Sequence, residues 1–169
     1  MADVFLGFGS NLGDRHKNIK DAIGQLKKNP QIEVEKLSSL YESAPVEMHS
    51  QNLFLNGVAQ MHTSLTPLKL LSALQAVEEK LGRDLKTKGK KQDRTIDLDI
   101  LFYNDLIFAV PELTVPHPQA HKRKFILQPM AEIAPDFEHP ILHLRMQEML
   151  KNLESQEQTK ACPDLTISL

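Results

Sequence analysis

The sequence has no tryptophan, two tyrosines, seven phenylalanines and one cysteine, Cys162, among 169 residues. A single thiol rules out a disulfide framework within the chain and fits a reducing compartment. Neither sign of charge dominates: 20 lysines and arginines stand against 22 aspartates and glutamates, a net charge of -2. That balance argues against a general nucleic-acid binder, which would carry a basic excess. No apolar run approaches the roughly 18 residues that cross a bilayer. Met1-Ala2-Asp3 passes straight into a short apolar strand, without a basic region or long hydrophobic stretch. The expectation is a soluble cytoplasmic protein with no membrane or nucleic-acid partner. Internal repeats, low-complexity runs and linkers are also missing. One domain over residues 1–154 is therefore expected, followed by a polar, frayed tail over residues 155–169.

What is present centres on Arg94-Thr95-Ile96-Asp97-Leu98-Asp99-Ile100-Leu101-Phe102. Ile96, Leu98, Ile100 and Phe102 alternate with Asp97 and Asp99, the period of a strand with one buried face. Residues two apart on a strand point the same way, about 6.5 to 7 Å from each other. Two carboxylates so placed repel unless cations lie between them, and hard oxygen ligands without Cys or His favour Mg²⁺ over Zn²⁺. An isolated pair of this kind is also compatible with a solvated strand face. The neighbourhood decides against that: Arg83, Lys86, Lys88, Lys90, Lys91 and Arg94 precede the pair and Arg123 follows it. Carboxylates able to hold Mg²⁺, beside arginines that grip oxyanions with a two-pronged fork, make a polyphosphate site.

Along the chain, Val4 to Gly9 reads as a central strand, and Ser10 to Asp14 as a turn. A helix follows over about Asp14 to Lys28, burying Ile19, Ala22, Ile23 and Leu26. Ile32 to Tyr41 reads as a strand of imperfect alternation, and Glu42 to Asn52, with His49, as a loop. Leu53 to Thr63 is a clear strand: Leu55, Gly57, Ala59 and Met61 form one face, Phe54, Asn56, Val58, Gln60 and His62 the other. Thr66-Pro67 opens a helix to about Leu81 that buries Leu70, Leu71, Leu74, Val77 and Leu81, with Gln75 and Glu78 on its flank. Residues 82–93 form a basic loop with Gly89 in its middle. Asn104-Asp105 turns the chain, and Val115-Pro116-His117-Pro118 excludes a helix. A short helix near Ala120 to Leu127 carries Arg123 and Phe125. A last one, about His143 to Leu153, buries Leu144, Met149, Leu150 and Leu153. The order is that of an α+β, ferredoxin-like βαββαβ core with extra C-terminal helices. Helices cover one face of its antiparallel sheet and leave the other free for a site.

Three functions fit these residues. Phosphoryl transfer needs cations on the phosphates and an aligned nucleophile rather than covalent chemistry from the protein; no Walker motif is present. The spacing Gly7-x-Gly9-x-x-x-Gly13, after a strand and before a helix, keeps an NADP reductase open, with Ser38-Ser39 placed to read a 2′-phosphate. A ferredoxin-like binding module is the third; against RNA, the strands lack paired exposed aromatics.

Taken together, Gly9-Ser10-Asn11-Leu12-Gly13-Asp14, Tyr41-Glu42-Ser43-Ala44-Pro45, Phe54-Leu55-Asn56, Arg94-Thr95-Ile96-Asp97-Leu98-Asp99-Ile100, Val115-Pro116-His117-Pro118 and Arg123-x-Phe125 closely resemble the 6-hydroxymethyl-7,8-dihydropterin pyrophosphokinase family of folate biosynthesis. The motifs run in the family's order from about Val4 to Leu153. The resemblance implies transfer of pyrophosphate from ATP to the pterin hydroxymethyl group, with AMP released. It implies that Asp97 and Asp99 hold two Mg²⁺ ions, that Arg83 and Arg94 lie on the phosphates as catalytic residues, and that Lys86 assists. Gln75, His117 and Arg123 would contact ATP, with Glu78 beside them. Phe54 and Phe125 would sandwich the pterin, Asn56 would meet its hydrogen-bonding edge, and Ser43, Ala44, Pro45 and Val46 would complete that edge, with Asp97 also in reach of the ring. Because Arg94 and Asp97 are an odd number apart, a strand through both would send them to opposite faces, so the strand must begin after Arg94. Where the family often carries Arg-Trp-Gly-Pro, this chain has Lys90-Lys91-Gln92-Asp93.

Overall fold

A computed structural model of the chain describes residues 1–46, 48, 50–84, 86 and 92–169. The expectations for His49, Lys88, Gly89, Lys90 and Lys91 lie outside the described residues. The first half runs β1 (Ala2–Ser10), α1 (Arg15–Lys27), β2 (Ile32–Leu37), β3 (Tyr41–Ser43), β4 (Phe54–Thr63) and α2 (Pro67–Lys80). The second runs β5 (Asp97–Tyr103), β6 (Phe108–Val110), β7 (Leu113–Val115), α3 (Lys124–Ile133), α4 (Met146–Asn152) and β8 (Thr159–Ala161). The main sheet is ordered β5-β1-β4-β3-β8, with β2 also on β4, and all its pairings are antiparallel. With β2 and β3 counted as one edge, this is the ferredoxin-like arrangement: the first strand is central between β4 and β5, the unit through α2 returns beside it, and the unit through α1 returns one strand away, on the far side of β4.

The expected strand over Ile32 to Tyr41 is two strands. Both pair with β4, β2 from Thr63 to Ala59 and β3 from Asn56 to Phe54, and β2 slips register between Val34 and Lys36. That slip is why its side chains do not alternate cleanly. Between the two pieces, Glu132 of α3 accepts from the Ser39 N–H at 2.9 Å and the Tyr41 hydroxyl at 2.6 Å. At the far end of the sheet His62 bridges Asp3 (2.9 Å) and Glu35 (2.7 Å), tying β1, β2 and β4 together.

Helix α1 starts where Asp14 accepts from the Lys17 N–H, and it buries Ile19, Ala22, Ile23 and Leu26 as its spacing predicts. With α2 it covers one face of the sheet, against Val4, Leu6, Phe8, Leu55, Ala59, Met61, Ile96, Leu98 and Ile100. Fully burying a side chain of Leu or Ile size is worth about 1.5–3 kcal/mol, so this layer dominates the stability of the fold.

The other face is not left free along its whole length. Helices α3 and α4 cover half of it, packing Ile126, Leu127, Met130, Met146 and Met149 on Phe5, Val58, Leu101 and Phe102. Phe102 therefore belongs to the opposite face from Ile96, Leu98 and Ile100. The cause is a register shift between Phe5 and Leu6 against β5, which leaves Leu101 extra and turns Phe102 toward Phe5. Helix α4 begins at Met146 rather than His143, and its buried residues are Met146 and Met149, with Leu144 exposed. The expected frayed tail adds a strand: Thr159–Ala161 pairs with β3, and Cys162, Leu165 and Ile167 pack on the first core. Among the described residues no helix is long and apolar enough to cross a membrane.

Candidate active site

The uncovered half of that second face is the floor of a cavity of about 380 Å³. Pairing across three strands sets its layout. Gly9 of β1 faces Asn56 of β4 on one side and Asp97 of β5 on the other; one step along, Gly7 faces Val58 and Asp99. The central strand thus presents two bare α-carbons between an amide on one side and two carboxylates on the other. A Cβ at Gly9 would stand 2.7 Å from Asn56 Oδ1, inside contact distance. Asn56 cannot yield freely, because its Nδ2 donates to Ser43 Oγ at 2.6 Å and both residues are buried.

Arg94 precedes β5, as the parity of its position requires, and reaches back to donate to Asp97 Oδ2 at 3.0 Å. Its backbone is held by Asn11, which accepts from the Arg94 N–H at 2.7 Å and donates to its carbonyl at 3.1 Å. Asn11 also donates to Asp93 at 2.8 Å. The turn after β1 therefore positions the residues just before β5. The Arg94 guanidinium lies 5.7 Å from the centre of the Phe54 ring, linking the charged half of the cavity to its aromatic wall.

Arg83 lies one layer below and does not line the cavity. It is 7% exposed, and its Nη1 donates to Glu78 Oε2 (2.8 Å), to the Ile96 carbonyl (3.2 Å) and to Asp97 Oδ1. Burial works against its charge, but Asp97, Glu78 and Asp99 outweigh that and hold its pKa above the ordinary arginine value. Glu78, expected beside ATP, is fully buried and receives the Leu98 N–H at 3.2 Å as well. It acts on the cavity through Arg83 and β5. Its spacing carried the signal: Leu70, Leu74 and Glu78 continue one helical stripe, so a carboxylate occupies a core position and calls for a buried cation.

The cavity lining includes Ser43, Ala44, Val46, Phe54, Asn56, Arg94, Asp97, Asp99, His117, Arg123 and Phe125 from the sequence-derived set. Gln75, Pro45 and Lys86 are not among its lining residues, and the Lys86 side chain is exposed. Met48 and Gln119 line it without having been expected; both stand in segments with no periodic pattern to mark them. Gln119 donates its N–H to His117 Nδ1 at 3.1 Å, which leaves the ring proton on Nε2. Burial, aided by Arg123 and opposed by Asp97, lowers the His117 pKa and keeps the imidazole neutral at pH 7.

The donors suit a hard divalent cation. Asp97 and Asp99 supply only carboxylate oxygens from one face of one strand, half-buried at the cavity. Positive charge already gathers there, since Arg83 and Arg94 hold the two oxygens of Asp97. Carboxylates and guanidinium groups thus lie on one side of Gly9, and a buried amide with aromatic walls on the other.

Residues 5–135 match the family model described as 7,8-dihydro-6-hydroxymethylpterin-pyrophosphokinase. The chain is 43% identical over 148 residues to the 2-amino-4-hydroxy-6-hydroxymethyldihydropteridine pyrophosphokinase of Aquifex aeolicus, covering 88% of this chain and 90% of that protein. It is 41% identical over 153 residues to the folic acid synthesis protein fol1 of Schizosaccharomyces pombe; there the match takes in 90% of this chain but 21% of the relative, about a fifth of its length. The solved structure of Plasmodium falciparum HPPK-DHPS with pteroate has the same fold, with a TM-score of 0.72 at 15% identity over 89% of this chain and 42% of that one.

Proposed function

The chain belongs to the 7,8-dihydro-6-hydroxymethylpterin-pyrophosphokinase family, and on that premise we propose that it transfers pyrophosphate from ATP to 6-hydroxymethyl-7,8-dihydropterin in folate biosynthesis. The hydroxymethyl oxygen forms a bond to the β-phosphorus, the bond from that phosphorus to the AMP oxygen breaks, and the hydroxyl proton is released. The observation that carries the reading is the row Asn56–Gly9–Asp97: a buried amide for the pterin edge and a carboxylate for the phosphate end, separated by one bare residue. Phe54 and Phe125 supply the apolar walls for the ring, where stacking adds about 0.5–1.5 kcal/mol to burial.

In this reading Asp97 and Asp99 would hold two Mg²⁺ ions, which would supply positive charge against the phosphates. Arg94 grips a phosphate oxygen from the wall, while Arg83 orients Asp97 and adds positive charge from beneath. His117 donates from Nε2, Arg123 meets the nucleotide from the start of α3, and Gln75 and Lys86 contact ATP from outside the cavity. Ser43 to Val46 close over the pterin edge. No side chain acts as a nucleophile.

The test is AMP formation from ATP and Mg²⁺, with and without the pterin. AMP that depends on the pterin and stops on chelation of the metal is expected. ADP as the product, or AMP made equally without pterin, would overturn the reaction. A second expected result concerns the floor. Gly9→Ala must displace the Asn56 amide, and overpacking of this kind costs about 1–3 kcal/mol. The KM for pterin should rise on the order of tenfold, with the KM for ATP less affected. An unchanged pterin KM would show that Asn56 does not read the ring.

A further inference from the structure

Helix α3 begins at the cavity with Arg123 and Phe125 but brings no side chain of its own to cap its first turn. The cap comes from the C-terminal segment. Glu157 accepts from the Lys124 N–H at 2.8 Å and from Arg123 Nη1 at 3.3 Å. Its own N–H donates to Ser155 Oγ at 3.0 Å, which turns the chain there. Two residues on, Thr159 is hydrogen-bonded to Gln128 of α3 and opens β8, which pairs with β3 beside Ser43. A segment expected to fray therefore joins the two cavity walls, α3 with Arg123 and Phe125, and β3 with Ser43.

From this we propose that Glu157 is a positioning residue for ATP: it fixes the start of α3 and holds the Arg123 guanidinium at the cavity mouth. The inference rests on the reading above, in which Arg123 contacts the nucleotide. Two effects of the carboxylate oppose each other. Its charge repels an incoming phosphate, but both Arg123 and Glu157 are partly exposed, so solvent and salt screen that term. Against it, an arginine that loses this contact is held less firmly before ATP binds, and arginine is among the side chains that lose most rotamer freedom when ordered. Positioning therefore outweighs repulsion. A carboxylate also suits a helix N-terminus, where the N–H groups point outward.

Glu157→Gln keeps an acceptor for the Lys124 N–H and removes the charge that holds Arg123. The expected result is a KM for ATP raised about 3- to 10-fold, the range of a partly exposed charged pair. The kcat and the pterin KM should change less than about twofold. Glu157→Ala loses the cap as well and should raise the ATP KM at least as far. In an Arg123→Ala background the Glu157→Gln change should have no further effect on ATP. Titration calorimetry of Mg-ATP without pterin gives the same comparison independently of turnover. An ATP affinity in Glu157→Gln equal to or tighter than wild type would overturn the proposal. So would a loss that persists undiminished without Arg123, since the role would then be structural only. If the wild-type chain makes no AMP, the reaction assignment fails, while the calorimetric comparison still decides the coupling of Glu157 to Arg123.

Discussion

Asp97→Ala should lower pterin-dependent AMP formation by on the order of 10³-fold or more while leaving a folded protein. The size of the effect follows from how much converges on one carboxylate. It lies at the cavity, it pairs with Arg83 through one oxygen and with Arg94 through the other, and in the proposed reaction it holds metal. Losing a single preorganised group of the charge-stabilising array typically costs 10²–10³ in kcat, and loss of a residue that holds metal in the proposed reaction would take away several kcal/mol of charge stabilisation besides. Stability should respond far less. Arg83 keeps Glu78 and the Ile96 carbonyl, and the backbone of Arg94 stays fixed by Asn11. A partly exposed ion pair is worth about 1 kcal/mol at most and Asp97 makes one with each arginine, so Tm should fall by no more than about 8 °C. Turnover within tenfold of wild type would remove Asp97 from the reaction. A collapse in Tm would mean that its role is structural.

The clarity of Asp97 and Asp99 in the sequence, and the obscurity of other parts, has a common physical basis. A pattern is legible where one face of an element is dry and the other is not. Strand β5 and helix α1 meet that condition, and their buried residues stand where period 2 and period 3.6 put them, up to the bulge at Leu101. The second face of the sheet does not meet it, because it is apolar at Phe5, Val58 and Leu101 and polar at Asn56, Asp97 and Asp99. A single strand thus reads as amphipathic although α3 and α4 cover part of its other side. Helix α4 is short, so Leu144 and Met146 both fit a buried stripe over about two turns, and packing chooses Met146. Strand β8 left no hydrophobic pattern at all: Thr159, Lys160 and Ala161 are held by backbone pairing with β3. The family motifs pointed to most of the cavity lining. They could not show that Arg83 sits under Asp97 on a buried glutamate, since that arrangement depends on how α2 meets β5.

That buried pair gives the largest expected effect on stability. Arg83→Met keeps most of the apolar stem but takes the guanidinium from Glu78, which is fully buried. Breaking a buried ion pair from one side costs about 3–5 kcal/mol, because the remaining charge stays in a poorly solvating site. Unfolding should therefore move down by on the order of 10 °C, and activity should drop at least about 100-fold, since Asp97 loses its lower partner. The double variant Arg83→Met/Glu78→Gln separates the two consequences. Glutamine still accepts from the Leu98 N–H but carries no charge, so at least half of the lost stability should return while activity does not. Two observables, Tm and kcat/KM, then move apart in one protein. A double variant as unstable as the single one would show that Arg83 stabilises through its bonds to Asp97 and the Ile96 carbonyl rather than by neutralising Glu78. Recovery of turnover together with Tm would show instead that the positive charge beneath Asp97 is dispensable, and that Arg94 alone stabilises the transferring phosphates.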